Sequence, residues 1–326
     1  MRHDVEPGYD WGDCAERWAG VVSRTLDIGG VDVHYLSATG DLDVRDSRTH
    51  LLVHPMGTGA WSWMDVVGPL SADGRVLAPD LPGAGRTRPQ EKDAARAERA
   101  PHFLDEFCAA LDLTQVVLHG HSLGGLVASL FAARHPEQVS HLVLTSPVLP
   151  GRPDPPRFPR AWRVSLAVAP VLAPIPMRIG MTLKSRSWRN WREDPGNVRL
   201  AEGVFRAGAD VTRISPEFLT LVAEEVERLR VPWRIDGAVR AGVSAVAALT
   251  VGEETVRREL DRIRTPTLVL WGERDRALPR ILAEDLRQSR PNWTFQDVPD
   301  VGHLLPWEAP ATYLELVREW IDRPGS

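Results

Sequence analysis

Gly120-His121-Ser122-Leu123-Gly124-Gly125 is the stretch on which the reading of this chain turns. It follows the apolar run Val116-Val117-Leu118 and precedes a helical pattern over 123–134, so a G-x-S-x-G pattern stands where a strand gives way to a helix. Holding a serine on so sharp a turn forces strained backbone angles and brings strand and helix close together. The flanking positions must then be nearly free of side chain. The hydroxyl projects above the end of the sheet, beside a helix N-terminus.

Outward from that turn, strand and helix patterns alternate. Leu26-Asp27-Ile28 and Val31-Asp32-Val33-His34-Tyr35 flank Gly29-Gly30 as a hairpin. Leu51-Leu52-Val53, Val76-Leu77-Ala78 and Leu142-Val143-Leu144 are short runs without polar alternation, which suits strands covered on both faces of a parallel sheet. Helical stretches over 61–70, 101–111 and 123–134 lie between them. The alternation breaks at the proline-rich turn Ser146-Pro147-Val148-Leu149-Pro150-Gly151-Arg152-Pro153 and resumes at Thr267-Leu268-Val269-Leu270-Trp271. Thr294-Phe295-Gln296-Asp297-Val298 gives a last strand, and 312–321 a closing amphipathic helix. The expected organisation is an N-terminal extension over 1–21 with no assignable role, an α/β core over 22–150, a helical insertion over 151–264 and the rest of the core over 265–326.

Composition limits the classes of function. The 326 residues are 43% hydrophobic and 25% charged, with a formal net charge of -5, which excludes a disordered chain and argues against a general nucleic-acid binder. Two cysteines, Cys14 and Cys108, provide no disulfide framework and suit a reducing compartment. Residues 1–8 show no apolar signal region. The longest uncharged apolar stretch, 164–177, is short for a membrane span and is broken by Pro170, Pro174 and Pro176. These features predict a soluble, cytoplasmic protein without a bound metal.

A serine hydroxyl is a poor nucleophile until a base takes its proton, and the base needs an acid to fix its tautomer. Asp275 follows the strand ending at Trp271, and His303 lies in the loop after the next strand, in the order Ser, acid, His that this strand arrangement requires. Glu273 and Asp300 are the nearest alternative acids. His54, His119 and His121 lie near the same rim, but only His303 comes after the acid and in a strand-end loop. Developing negative charge on a carbonyl oxygen needs two N–H donors. The expected pair is Leu123, next after the serine, and Met56, in the loop His54-Pro55-Met56-Gly57-Thr58-Gly59-Ala60-Trp61-Ser62-Trp63.

With that loop, Ser122, Asp275, His303 and the run Ala78-Pro79-Asp80-Leu81-Pro82-Gly83-Ala84-Gly85-Arg86-Thr87, the chain resembles the α/β-hydrolase superfamily over about residues 22–150 and 265–320. Within it the chain is similar to capped, cofactor-independent serine hydrolases: carboxylesterases, lactonases and carbon–carbon bond hydrolases. The resemblance implies an eight-stranded, mostly parallel sheet with a helical cap between the sixth and seventh strands, and no cofactor. The serine at the turn argues against haloalkane dehalogenases and epoxide hydrolases, which place an aspartate there. One departure is His54-Pro55 where the family has His-Gly. Proline removes the N–H of residue 55 but leaves that of Met56.

The insertion is basic, with 16 Lys and Arg against 10 Asp and Glu between Pro150 and Arg240, which suits an anionic or carrier-bound small-molecule substrate. Candidate substrate contacts are His54, Trp61, His121, Trp162, Trp188 and Trp191. Expected chemistry is hydrolysis of a carboxylic ester, lactone or thioester through an acyl-enzyme on Ser122. The alternatives are carbon–carbon cleavage or rearrangement on the same fold, and a small-molecule receptor or regulatory protein.

Overall fold

The short unalternating apolar runs become the middle of one sheet. The computed structural model describes residues 8–40, 48–151, 179, 208–228, 231–249, 252–278 and 280–323. Its strands are β1 (Val22–Ile28), β2 (Val31–Ala38), β3 (Arg48–Val53), β4 (Gly74–Pro79), β5 (Val116–His121), β6 (Val139–Thr145), β7 (Thr267–Gly272) and β8 (Thr294–Val298). They lie in the order β1-β2-β4-β3-β5-β6-β7-β8. β2 pairs antiparallel with β1 and β4, and every other neighbouring pair is parallel. The inner strands β5 and β7 are buried at every residue, whereas the edge strands β1 and β8 include exposed positions. In the hairpin, Gly29 and Gly30 have φ of 59° and 82°, the left-handed pair that a two-residue turn between twisted strands demands.

Two apolar layers cover the sheet, and successive strand residues feed opposite layers as the pleat dictates. Leu52, Val117 and Leu268 join one layer with α1 (Met64–Leu70), and Leu51, Leu118 and Val269 join the other with α2 (Ala100–Ala110) and α3 (Leu123–Arg134). Residues 123–133 of α3 are all buried, as expected of a helix that is apolar on every side. The helix read over 61–70 begins as a tighter 3-10 turn, Ala60–Trp63, before α1.

Between β6 and β7 the described regular elements are all helical: the 3-10 turn Val211–Arg213, α4 (Pro216–Arg228), α5 (Pro232–Ala248) and α6 (Glu253–Leu260). After β7 come α7 (Arg280–Ser289), α8 (Leu305–Glu308) and α9 (Pro310–Ile321). Among the described residues, no single helix is long and apolar enough to cross a membrane.

The first described residues, 8–21, have a structural role that the sequence did not disclose. Trp11, Trp18 and Val21 are buried in the same layer as α1. A buried indole N–H needs an acceptor. Trp11 donates to Ser23 Oγ at 3.1 Å and Trp18 to Asp65 at 2.6 Å, which fastens the segment to β1 and α1.

Candidate active site

Ser122 stands at the junction of β5 and α3 with φ 54° and ψ -115°, a conformation that side-chain-bearing residues rarely adopt. The turn is held by Ser122 N–H to the Thr145 carbonyl at 2.9 Å, and by Gly125 and Val148 N–H to the Ser122 carbonyl, both at 3.0 Å. The glycines are required by contact. A Cβ on Gly120 would meet the Gly124 carbonyl, one on Gly124 would strike the Val53 carbonyl, and one on Gly125 would meet Pro147. Strand, helix and the loop after β3 therefore converge at backbone distance on the serine.

His303 and Asp275 meet at this rim. His303 Nδ1 lies 2.8 Å from Asp275 Oδ2, and the other carboxylate oxygen accepts N–H bonds from Ala277 and Leu278, each at 2.9 Å. The Asp275 side chain is 1% exposed. Burial pushes its carboxyl up, but the hydrogen bond and charge of His303 and the Leu278 N–H outweigh this and hold it below the usual carboxylate range. Of the alternative acids, Glu273 is exposed, and Asp300 is exposed and paired with Arg274. Neither faces the imidazole as Asp275 does. Ser122 Oγ makes no hydrogen bond among the described residues, so the serine–imidazole link is open in this structure. Such links commonly tighten only around substrate.

The departure at Pro55 has a clear geometric consequence. The Pro55 carbonyl accepts from His54 Nδ1 at 2.9 Å and from Thr58 Oγ1 at 2.8 Å. In a planar trans peptide the carbonyl and the next N–H point opposite ways, so pinning the Pro55 oxygen also fixes the aim of the Met56 N–H. His54 Nε2 accepts from the Leu81 N–H at 3.0 Å, which assigns the proton to Nδ1. Burial lowers the pKa of His54, in keeping with a neutral ring. The N–H groups of Met56 and Leu123 have no hydrogen-bond partner among the described residues. Leu123 also opens α3, where the helix dipole favours negative charge.

Two buried carboxylates that the sequence reading missed organise these loops. Asp80, at the end of β4, accepts from His34 Nδ1 at 2.7 Å, Ala60 N–H at 2.6 Å and Arg86 N–H at 2.7 Å. Burial opposes its charge, but His34 and these N–H groups hold its pKa below the usual range. A Cβ on Gly59 or Gly85 would collide with its carboxylate. The signal in the sequence was an acid followed by Pro82-Gly83-Ala84-Gly85, residues small enough to wrap a charge. Glu308 is the second. It accepts from Gly302 N–H at 3.1 Å, Leu304 N–H at 3.3 Å and Asp210 N–H at 2.9 Å, so it grips the His303 loop on both sides and ties it to the insertion. Burial raises its pKa, and the three N–H bonds only partly offset this.

The expected substrate contacts are distributed differently. Trp61 is 4% exposed and packs on Trp307 and Phe218, with ring centroids 5.5 and 6.2 Å away, so it belongs to the core. His121 donates from Nε2 to the His303 carbonyl at 2.8 Å and props that loop. Burial and the neighbouring His303 lower its pKa to about 3, which leaves it neutral. His54 borders a cavity, but both its nitrogens are engaged in the loop. Trp162, Trp188 and Trp191 lie outside the described residues.

That cavity is partly open to solvent and is bordered by Met56 and Leu123. Its walls are small and apolar, drawn from the loop after β4, the segment 94–97, Val127 of α3, and Gly237, Ala238 and Ala241 of α5. Among the described residues, no three His, Cys, Asp or Glu side chains converge as a metal site would require.

Comparison with known proteins agrees with this architecture. The profile of the alpha/beta hydrolase family matches residues 51–316, and the chain belongs to that family. It is 25% identical over 290 residues to the magnesium-chelatase 30 kDa subunit of Rhodobacter capsulatus, covering 86% of this chain and 89% of the relative. It is also 25% identical over 287 residues to a 2-hydroxy-6-oxononadienedioate/2-hydroxy-6-oxononatrienedioate hydrolase of Cupriavidus pinatubonensis, covering 84% and 87%. Among solved structures, a putative lipase from Acinetobacter baumannii superposes with a TM-score of 0.70 at 19% identity, covering 98% of this chain and 97% of that one.

Proposed function

We propose that this member of the alpha/beta hydrolase family is a serine hydrolase that cleaves a carboxylic ester, lactone or thioester through an acyl-enzyme. Ser122 Oγ attacks the carbonyl carbon while His303 Nε2 takes its proton, and Asp275 faces the positive charge that develops on the imidazole. The carbonyl oxygen, now an oxyanion, is held by the N–H groups of Met56 and Leu123. Collapse of the tetrahedral intermediate breaks the bond to the leaving group, which departs with the proton from His303. Water then repeats the attack, His303 again acting as base, and the free acid leaves.

The observation that supports this reading best is the pair of unpartnered N–H groups beside a strained serine, with a buried His–Asp pair on the same rim. Neither donor has a partner among the described residues, so both are available to an oxyanion formed beside the serine. Incubation with a fluorophosphonate followed by mass spectrometry should find the adduct on Ser122. The Ser122→Ala protein should lose labelling and at least about 10³-fold in kcat. Undiminished turnover by that variant would refute the proposal.

A second reading keeps the same groups and changes the bond. The relative from Cupriavidus pinatubonensis is named for a dienedioate hydrolase, so a carbon–carbon bond next to a ketone is the competing target. Turnover of a β-diketone, with none of short p-nitrophenyl esters, would favour it.

A further inference from the structure

We infer that residues 8–21 serve the reaction by holding the oxyanion loop in place, with Trp11, Ser23 and His34 as positioning residues. This role rests on the acyl-transfer reading above and extends it to a part of the chain remote from Ser122, Asp275 and His303. The loop after β3 is hung at both ends from two adjacent residues. At its start, His54 Nε2 accepts from the Leu81 N–H at 3.0 Å, and at its far end the Ala60 N–H donates to Asp80 Oδ1 at 2.6 Å. Met56 lies inside the suspended span. The seat is tight, since a Cβ on Gly59 would meet Asp80 Oδ1. Movement of residues 80 and 81 therefore carries the Met56 N–H with it, and a donor misplaced by about an ångström loses much of its worth.

What fixes Asp80 leads back to the N-terminal segment. Asp80 Oδ2 lies 2.7 Å from His34 Nδ1, His34 Nε2 lies 3.1 Å from Ser23 Oγ, and Ser23 Oγ accepts from the Trp11 indole N–H at 3.1 Å. Hydroxyl, imidazole and carboxylate thus stand in the same order as in the proposed triad. This second constellation is not a second active site, because Ser23 is fully buried and its oxygen is already taken by the indole. The chain has a direction. An indole N–H can only donate, which leaves the Ser23 proton for His34 Nε2, and the Nδ1 proton then points at Asp80. In a buried chain of this kind each bond orients the next. Trp11 reaches Asp80 by a second route as well. Its ring faces the Arg86 guanidinium at 5.8 Å, the Arg86 backbone N–H donates to Asp80 Oδ2 at 2.7 Å, and the guanidinium pairs with Glu225 of α4 at 3.0 Å. Arg17 anchors the same segment to Asp65 of α1 at 2.9 Å and to Glu217 of α4 at 2.7 Å. Residues 8–21 are thus tied to the core, to the insertion and, through Ser23 and His34, to the carboxylate that suspends the oxyanion loop.

The test uses Ser23→Ala, which removes the hydroxyl from the chain, and Trp11→Phe, which keeps an aromatic ring in the layer and loses only the N–H. Hydrogen exchange read by mass spectrometry follows the peptide 54–63, with β7 as the internal control. In both variants the loop should exchange at least about tenfold faster while β7 keeps its rate. On p-nitrophenyl acetate, kcat should fall about fivefold to tenfold with KM unchanged, and the acid limb of the kcat–pH profile should stay where it is, because the His303–Asp275 pair is untouched. Since the two residues act in one chain, the double variant should lose little more than either single one. A purely structural role would instead lower the thermal midpoint and leave kcat of the folded protein intact. Unchanged exchange of 54–63 overturns the inference, and so does faster exchange with unchanged kcat or with a shifted acid limb. If the wild-type protein turns over no ester, the acyl-transfer reading falls by itself, and the exchange of 54–63 decides whether the brace on the loop stands.

Discussion

Lowering the pH from 7 to 5 should destabilise this protein, because its buried histidines resist protonation. His50 Nδ1 lies 3.0 Å from His119 Nε2, and His119 Nδ1 lies 2.7 Å from the Tyr313 hydroxyl, with Tyr313 fully buried. A further proton on this chain would set donor against donor in an apolar layer. Burial, helped by the nearby Arg48 and Arg318, lowers the pKa of His50 to about 3, and burial with His303 does the same for His121. His119 is also lowered well below its ordinary value, chiefly by burial. The unfolded chain binds protons on these rings below about pH 6.5 while the folded one does not, so stability is present above that pH and is lost as pH falls from there toward 3. A ring shifted from 6.5 to about 3 costs about 2 kcal/mol at pH 5, so His50 and His121 together remove about 4 kcal/mol, a large share of the 5–15 kcal/mol typical of a domain. Urea unfolding at pH 7, 6 and 5 measures this directly, and His121→Asn should recover about 2 kcal/mol of the loss between pH 7 and 5. The lowered carboxylates Asp80 and Asp275 lose their contribution only nearer pH 4 and below, so the window from 6.5 to 5 belongs to the histidines. Equal midpoints at pH 7 and 5 would refute the reasoning.

Three further outcomes follow from the site. Asp275→Asn preserves the volume beside His303 but presents an amide to Nδ1 and favours the wrong tautomer; kcat should drop about 10⁴-fold with little change in thermal midpoint. Thr58→Val removes one of the two donors that pin the Pro55 carbonyl, freeing the Met56 N–H to swing. The loss should appear in kcat, by about fivefold and at most the 10²–10³-fold worth of a complete oxyanion donor, and an unchanged kcat would show that His54 alone suffices. Glu308→Gln replaces a carboxylate that takes three backbone N–H bonds with an amide having a single acceptor oxygen; it should cost about 1–3 kcal/mol in urea unfolding.

The sheet was legible because strand burial imprints itself on composition. Val116-Val117-Leu118 and Thr267-Leu268-Val269-Leu270-Trp271 have no polar alternation, and both strands are buried on two faces. The turn at Ser122 was legible from its glycines: Gly120 and Gly124 each answer a backbone collision, and Gly125 a collision with Pro147. Less visible was the direction of side chains at the rim. His54, Trp61 and His121 were read as substrate contacts, yet His54 bonds within its own loop, Trp61 turns into the core and His121 turns to the His303 carbonyl. Position along a strand does not encode which of several nearby acceptors a ring will take. Asp80 and Glu308 were missed because an acid at the end of a strand or a short helix reads as solvated until the converging N–H groups are known. Residues 8–21 carry no period at all. Their burial rests on two indoles seated against α1 and β1, a tertiary fact.

The placement of Glu308 bears on what the insertion does. Within it, the φ of 86° and lack of side chain at Gly208 let that residue lie against the Arg274 carbonyl on one side, while Gly302 lies against Gly208 itself. Asp210 N–H then bonds Glu308, and Arg213 donates to the Asp300 carbonyl at 2.5 Å. The strap 208–213 is therefore seated between the loop that carries Asp275 and the loop that carries His303. On the other flank, α5 rests on the loop after β4 through Gly237 and Gly83. Since a His–Asp pair loses its value when displaced by about an ångström, a segment seated against both loops helps to hold their spacing. The segment between β6 and β7 thus contributes twice to the candidate site: through α5 it walls the cavity, and through residues 208–213 it braces the loops that carry Asp275 and His303.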